Sequence, residues 1–216
     1  MITDERTAAY IDSLQSDNTP FLTELENNAK QQGIPVIRRP AQSLLKFVLA
    51  DRQPSRILEI GTAVGFSAIF MATYGGDVFI DTIENYEKRI EAARENIKSA
   101  GMDDRISLIT GDAQEILERF ADEQRSYDMI FIDAAKGQYP AYLTPCRKLL
   151  VPGGVLVADN VLFDGDIVSS RFAVRRRDRT IHERMRQFLR TLSEDEEFTT
   201  TILPIGDGMT LSVKCR

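Results

Sequence analysis

Arg56-Ile-Leu-Glu-Ile-Gly-Thr-Ala-Val-Gly-Phe-Ser67 decides how the rest of the chain is read. Ile57, Leu58 and Ile60 form a short apolar run rich in β-branched residues, which predicts a buried strand that Gly61 stops. Gly65 follows four residues later, ahead of Phe66, Ile69 and Phe70 at helical spacing, so the stretch reads as strand, tight loop, helix. A loop without side chains at Gly61 and Gly65 lets a ligand approach the backbone, and the helix beyond it opens with unpaired N–H groups. The dinucleotide fingerprint G-x-G-x-x-G does not fit, because Ala63 and Phe66 stand where glycines would be needed. A single G-x-x-x-G after a strand also suits a purely structural turn, and the residues downstream must decide.

Downstream, strands and helices alternate. A second strand over residues 78–83 is ended by Glu84, and a helix over 86–100 is closed by Gly101. A third strand over 106–109 leads into Gly111-Asp112-Ala113 and a helix through Phe120. Residues 129–132 run to Asp133, a helix occupies about 139–150, Pro152-Gly153-Gly154 predicts a turn, and 155–158 run to Asp159-Asn160. Alternating β and α units predict an α/β fold with a mostly parallel sheet and helices on both faces. Ligands of such sheets bind beyond the carboxyl ends of the strands, where Gly61, Glu84, Asp112, Asp133, Asp159 and Asn160 all fall. Upstream, apolar periodicity predicts helices over 3–14, 20–30 and 41–50, the second opened by Thr19 and Pro20. Between the last two lies a Pro-bounded linker, 34–40, carrying the adjacent cations Arg38 and Arg39.

The whole chain, 216 residues with 43% apolar and 28% charged side chains, has the balance of a globular protein with a real core. We expect one domain over 1–216, with leading helices in 1–50 and the core in 51–216. No apolar run reaches the length of a membrane span, and the N-terminus is charged where a signal peptide needs an apolar centre, so the expected location is cytoplasmic and no membrane partner is expected. Cys146 and Cys215 fit no C-x-x-C pattern and read as free thiols. With His182 the only histidine, neither a His/Cys zinc site nor a Ser-His-Asp site is indicated.

Each strand-end residue suggests a task. Glu84 is an acceptor placed to hold both hydroxyls of a ribose, and Asp112 with Ala113 could address the edge of an adenine. No Walker-type lysine follows the glycine loop and no arginine stands there to meet a pyrophosphate, so the remainder of the ligand need not be phosphorylated. Asp133, Asp159 and Asn160, at the ends of two strands expected to be neighbours, offer only hard oxygen donors, which suit Mg²⁺. Lys136, about one helical turn past Asp133, would point to the same space and could act as a base. The plainer alternatives are carboxylates capping the following loops and an ordinary exposed lysine.

Leu-Glu-Ile-Gly-Thr-x-x-Gly-Phe-Ser, the acidic Glu84, Gly-Asp-Ala, Phe-Ile-Asp-Ala-x-Lys and Val-x-Ala-Asp-Asn-Val-Leu together resemble the metal-dependent class I O-methyltransferases, the group of catechol and caffeoyl-CoA O-methyltransferases. The resemblance runs from about residue 35 to the end. It implies S-adenosylmethionine held near Ile37, Arg38, Glu59, Gly61, Ser67, Glu84, Asn85, Asp112, Ala113 and Asp133. It also implies Mg²⁺ on Asp133, Asp159 and Asn160, catalysis by Lys136 and Asp133, and a homodimer. The implied fold is a Rossmann-like seven-stranded sheet with an antiparallel last strand, which residues 198–203 and 209–214 around Gly206-Asp207-Gly208 would complete as a hairpin unit. Within that family the tail, Asp-Asn-Val-Leu-Phe-x-Gly, an arginine block and Ile-Leu-Pro-Ile-Gly-Asp-Gly, is similar to the bacterial tRNA 5-hydroxyuridine methyltransferases. These convert a wobble base to 5-methoxyuridine.

Charge points the same way on its own. Arg171 to Arg190 carries eight arginines against Asp178 and Glu183, a net +6 in a chain of net −6, so the remainder holds −12. The asymmetry suggests a polyanion partner, here the tRNA anticodon loop, with Arg171, Arg175, Arg176, Arg177 and Arg179 as the contacts. Two other readings stay open: the same chemistry on a small catechol or phenylpropanoid, and a nucleotide-binding module or reductase without methyl transfer.

Overall fold

Pro40 opens a helix rather than closing the linker before it, because a proline in the first turn has no N–H to leave unpaired there. The computed structural model, which describes residues 5–215, accordingly starts α3 (Arg39–Arg52) earlier than the expected 41, behind α1 (Glu5–Ser13) and α2 (Pro20–Gln31). The part of the first expected helix before Glu5 lies outside the described residues. Then come β1 (Arg56–Ile60), α4 (Phe66–Tyr74), β2 (Phe79–Glu84), α5 (Glu87–Ser99), β3 (Ile106–Thr110) and α6 (Ala113–Asp122). The chain continues through β4 (Tyr127–Ile132), α7 (Tyr139–Leu149), β5 (Leu150–Ala158), α8 (Arg179–Glu194), β6 (Phe198–Leu203) and β7 (Met209–Lys214).

The strands form one sheet in the order β3-β2-β1-β4-β5-β7-β6, parallel except for β7, which runs antiparallel to both β5 and β6. Side chains alternate between the two faces of the central strands. Ile57, Met129, Phe131, Val155 and Val157 pack with α2, α3 and α4, while Leu58, Ile60, Ile130, Ile132 and Leu156 pack with α6, α7 and α8. Because β1 to β5 are all parallel, Gly61, Glu84, Gly111, Asp133 and Asp159 arrive at one rim of the sheet.

Two local expectations are corrected. The Pro152-Gly153-Gly154 turn is a bulge inside β5: pairing with β4 steps from Tyr127–Leu150 to Met129–Val155, and Gly153 takes φ +79° to allow it. Lys136 does not sit in a continuing helix but opens the 3-10 turn Lys136–Gln138. The arginine block is half helical: Arg171 and Arg175 lie in a connecting segment, a 3-10 turn spans Arg176–Asp178, and α8 starts at Arg179. Among the described residues no helix is long and apolar enough to cross a membrane.

Candidate active site

The loop after β1 is tied to its neighbours by backbone. Gly61 N–H and Thr62 N–H donate to the Ile83 carbonyl at 3.0 and 3.1 Å, and Asp133 N–H donates to the Ile60 carbonyl at 3.0 Å. Gly61 has φ +102°, and a Cβ there would lie 2.1 Å from the Asp133 carbonyl oxygen. Its missing side chain is therefore required by the next strand, whatever ligand approaches. Gly65 caps α4 at φ +85° with only ordinary contacts around it, so its need is conformational.

Glu84, buried at the end of β2, gathers three backbone donors: Ala63 N–H on Oε2 at 2.8 Å, and the N–H groups of Asn85 and Tyr86 on Oε1, each at 3.0 Å. It draws the glycine loop onto the β2 end and keeps acceptor capacity on Oε2. These strand ends border a cleft of about 520 Å³ whose walls bring together Ile37, Arg38, Gly61, Glu84, Asn85, Ala113, Asp133, Lys136, Asp159 and Asn160. Three residues of the expected cofactor set stand apart from its walls. Asp112 is exposed and caps α6, its Oδ1 accepting from Gln114 N–H at 2.9 Å and Glu115 N–H at 3.2 Å. Glu59 and Ser67 are buried beneath the loop.

Glu59 accepts a short hydrogen bond from the Thr82 hydroxyl, which Thr62 Oγ1 approaches at 2.6 Å, while Glu59 Oε1 is buried without a partner. Burial pushes its carboxyl up to about 7, against the Ser67 and Thr82 hydroxyls and with help from the charges of Asp133 and Glu84. At the other acidic group, burial raises Asp133 to about 6, opposed by Lys136 and Arg89. Asp159 rises to about 7, through burial first and then the neighbouring charge of Asp133. Its Oδ1 accepts from Asn160 N–H at 2.6 Å, and Asn160 holds the left-handed φ of 57° that asparagine tolerates. A half-buried carboxylate, Asp133, and a buried one, Asp159, that repel one another beside an amide are a hard-oxygen donor set whose charge a divalent cation would balance. Among the described residues no three His, Cys, Asp or Glu side chains form a metal cluster.

Sequence reasoning missed two residues here. The fully buried Tyr139 hydroxyl donates to the Asp159 carbonyl at 3.0 Å and sits 3.4 Å from the Ile132 carbonyl, while Ala134 N–H donates to it at 3.3 Å, locking the β4 and β5 ends together. Asp207, buried in the β6–β7 turn, lies on the cleft wall and accepts from Lys136 Nζ at 3.0 Å. The Lys136 ammonium also lies 5.2 Å from the Phe163 ring centroid. A signal existed for Asp207 in Gly206-Asp207-Gly208, since a Cβ on Gly208 would lie 2.2 Å from Leu162 Cγ, but nothing in the turn itself names the lysine it meets.

The family model for O-methyltransferases matches residues 12–215. The chain belongs to the O-methyltransferase family. It is 35% identical over 163 residues to a catechol O-methyltransferase of Niastella koreensis, a stretch covering 74% of each chain. The structure of a candidate caffeoyl-CoA O-methyltransferase from Staphylococcus aureus superposes with a TM-score of 0.88 at 32% identity, covering 98% of this chain and 100% of that one. TomG of Streptomyces achromogenes, an O-methyltransferase of tomaymycin synthesis solved with S-adenosylmethionine, gives a TM-score of 0.84 at 28% identity with 100% of both chains covered.

In this O-methyltransferase the arginine block divides by partner. Arg179, Arg184 and Arg186 donate to backbone carbonyls, of Phe172 and Val174, of Gly137, and of Ile167 and Ser169 respectively. Arg171 pairs with Glu183 at 3.3 Å and Arg177 with Asp178 at 3.6 Å. Among the described residues, Arg175, Arg176 and Arg190 have no hydrogen bond or ion pair from their side chains. Of the five arginines expected to meet RNA, Arg171, Arg177 and Arg179 are thus already engaged within the fold.

Proposed function

We propose that this chain methylates the C5 oxygen of 5-hydroxyuridine at the tRNA wobble position, using S-adenosylmethionine and Mg²⁺. The observation that carries the RNA part is the group of unpartnered guanidiniums, Arg175, Arg176 and Arg190, in a chain of net charge −6. The segment that bears the first two begins at Phe163, beside Lys136 in the cleft. A phosphate backbone is the ligand such local cations suit, while the acidic remainder repels polyanions elsewhere.

When bound, S-adenosylmethionine supplies an electrophilic methyl group and Mg²⁺ acidifies a chelated hydroxyl. The chain's own residues do the rest. Glu84 has acceptor capacity left for a ribose hydroxyl, and the Gly61 to Gly65 loop gives the ligand access to backbone. Asp133, Asp159 and Asn160 would hold the cation, and the adjacent C5 hydroxyl and C4 carbonyl of 5-hydroxyuridine offer two oxygens to the same site, as a catechol does. Lys136, oriented by Asp207, is placed to take the proton that the substrate hydroxyl gives up. The reading includes a homodimer, supported by the exposed apolar Tyr10, Leu14 and Phe47 on and beside α1 and α3 and checked by sedimentation.

Nucleoside mass spectrometry of tRNA incubated with the protein and S-adenosylmethionine should show 5-hydroxyuridine converted to 5-methoxyuridine, with loss of conversion on chelation. The catechol O-methyltransferase relative favours a second reading, methylation of a small catechol. Turnover of a catechol with no change in tRNA would establish that reading instead.

A further inference from the structure

Phe172 is 82% exposed, yet the backbone that carries it is fixed from several sides. Phe172 N–H donates to Ser170 Oγ at 3.4 Å and Ala173 N–H to the Ser170 carbonyl at 2.9 Å, closing a turn around Phe172. Arg179 reaches back from the first turn of α8, donating to the Phe172 carbonyl through Nη2 and to the Val174 carbonyl through Nε, both at 3.3 Å. Its guanidinium carbon lies 5.7 Å from the Phe172 ring centroid, and Val174 anchors the far side in the core at 3% exposure. A lone exposed phenylalanine needs no explanation. This one is held out on a braced turn, backed by a cation, and followed within four residues by the unpartnered Arg175 and Arg176.

We propose that Phe172 is a stacking platform for an unpaired base of the RNA anticodon loop, with Arg175 and Arg176 meeting the phosphates that flank it. The inference rests on the RNA reading above and adds its mode of recognition. Single-stranded nucleic acid is held by this combination, a cationic track for the backbone with an aromatic face for a base, and the stack is indifferent to which base it receives. Arg179 is then a positioning residue: its cation backs the ring and its donors fix the turn, which explains why it is not itself free for a phosphate.

The test uses the full chain and an anticodon stem-loop carrying 5-hydroxyuridine, with 2-aminopurine placed in turn at the other loop positions. At one position the wild type should quench the fluorescence, as stacking on an aromatic ring does. Phe172→Ala should abolish that quenching and weaken binding about tenfold, by the stacking loss of one base. The slope of log K against log salt should not change, since no charge is removed. Phe172→Tyr should restore both readouts, and the melting temperature of each variant should match the wild type because the ring is exposed. Wild-type-like affinity and quenching in Phe172→Ala, while the stem-loop still binds, would overturn the stacking role alone. No binding of the stem-loop by the wild type would overturn it together with the RNA reading.

Discussion

Glu59 sits under the glycine loop with one oxygen hydrogen-bonded and the other without a partner, and its environment holds its proton to about 7 where an ordinary glutamate gives it up near 4.5. The folded chain therefore binds this proton more tightly than the unfolded chain. Stability must fall as pH rises from about 4.5 toward about 7 and level off above, the reverse of a salt-bridged carboxylate. Glu59→Gln keeps an acceptor for Thr82 and removes the charge. Between pH 4.5 and 8 the wild type should lose on the order of 3 kcal/mol relative to that variant, measured by urea unfolding across the range. Parallel curves for the two proteins would show that the carboxyl is not held neutral. Lys136 shows the same dependence on a distant partner: its partner Asp207 comes from a turn 71 positions along the chain.

At the scale of elements, the five parallel strands and the residues at their ends were legible because two local signals agree: apolar runs of strand length, and glycine or carboxylate punctuation after each. Helix starts were less so, since Pro40 bounds a linker and opens a helix with equal ease. The bulge in β5 was hidden because Pro152-Gly153-Gly154 has the composition of any turn, and only the register against β4 tells them apart. Tyr139 and Asp207 were illegible for a different reason: their roles exist only once α7 has packed behind β4 and the terminal hairpin has closed beside β5. The glycine loop was legible as a feature but not in its cause. Gly61→Ala places a methyl against the Asp133 carbonyl in a disfavoured φ and should destabilise the chain by at least ~2 kcal/mol, with strain and overpacking combined. Gly65→Ala meets only ordinary van der Waals contacts, with Ala93 and Ile97 at 3.6 Å, and should lose only the ~1–2 kcal/mol of a left-handed residue. Chemical denaturation of the two variants separates the readings, because a loop glycine needed only for ligand access would leave both near wild-type stability.

Over the whole molecule, charge is distributed against the overall sign, and the distribution of partners within the arginine block decides which residues matter. A guanidinium already donating to a carbonyl, as Arg186 does to Ile167 and Ser169, must break that contact to meet a phosphate, whereas Arg175, Arg176 and Arg190 are available without rearrangement. Counting the block as eight equivalent cations would predict that any three substitutions weaken RNA binding alike. The structure predicts otherwise. Replacing Arg175, Arg176 and Arg190 together by Ala should lower the slope of log K against log salt by about 2, at roughly 0.7 per single-strand phosphate contact, with little effect on unfolding. Replacing Arg171, Arg179 and Arg186 should act chiefly on the fold, loosening the segment from residue 167 to 174 and reducing stability, with a smaller change in slope. Titrations of tRNA at four salt concentrations, paired with thermal unfolding of each triple variant, distinguish the two sets. Equal slopes in both variants and the wild type, with full conversion of a small catechol, would mean that the block is a solvated face and that the methyl group goes to a small aromatic substrate.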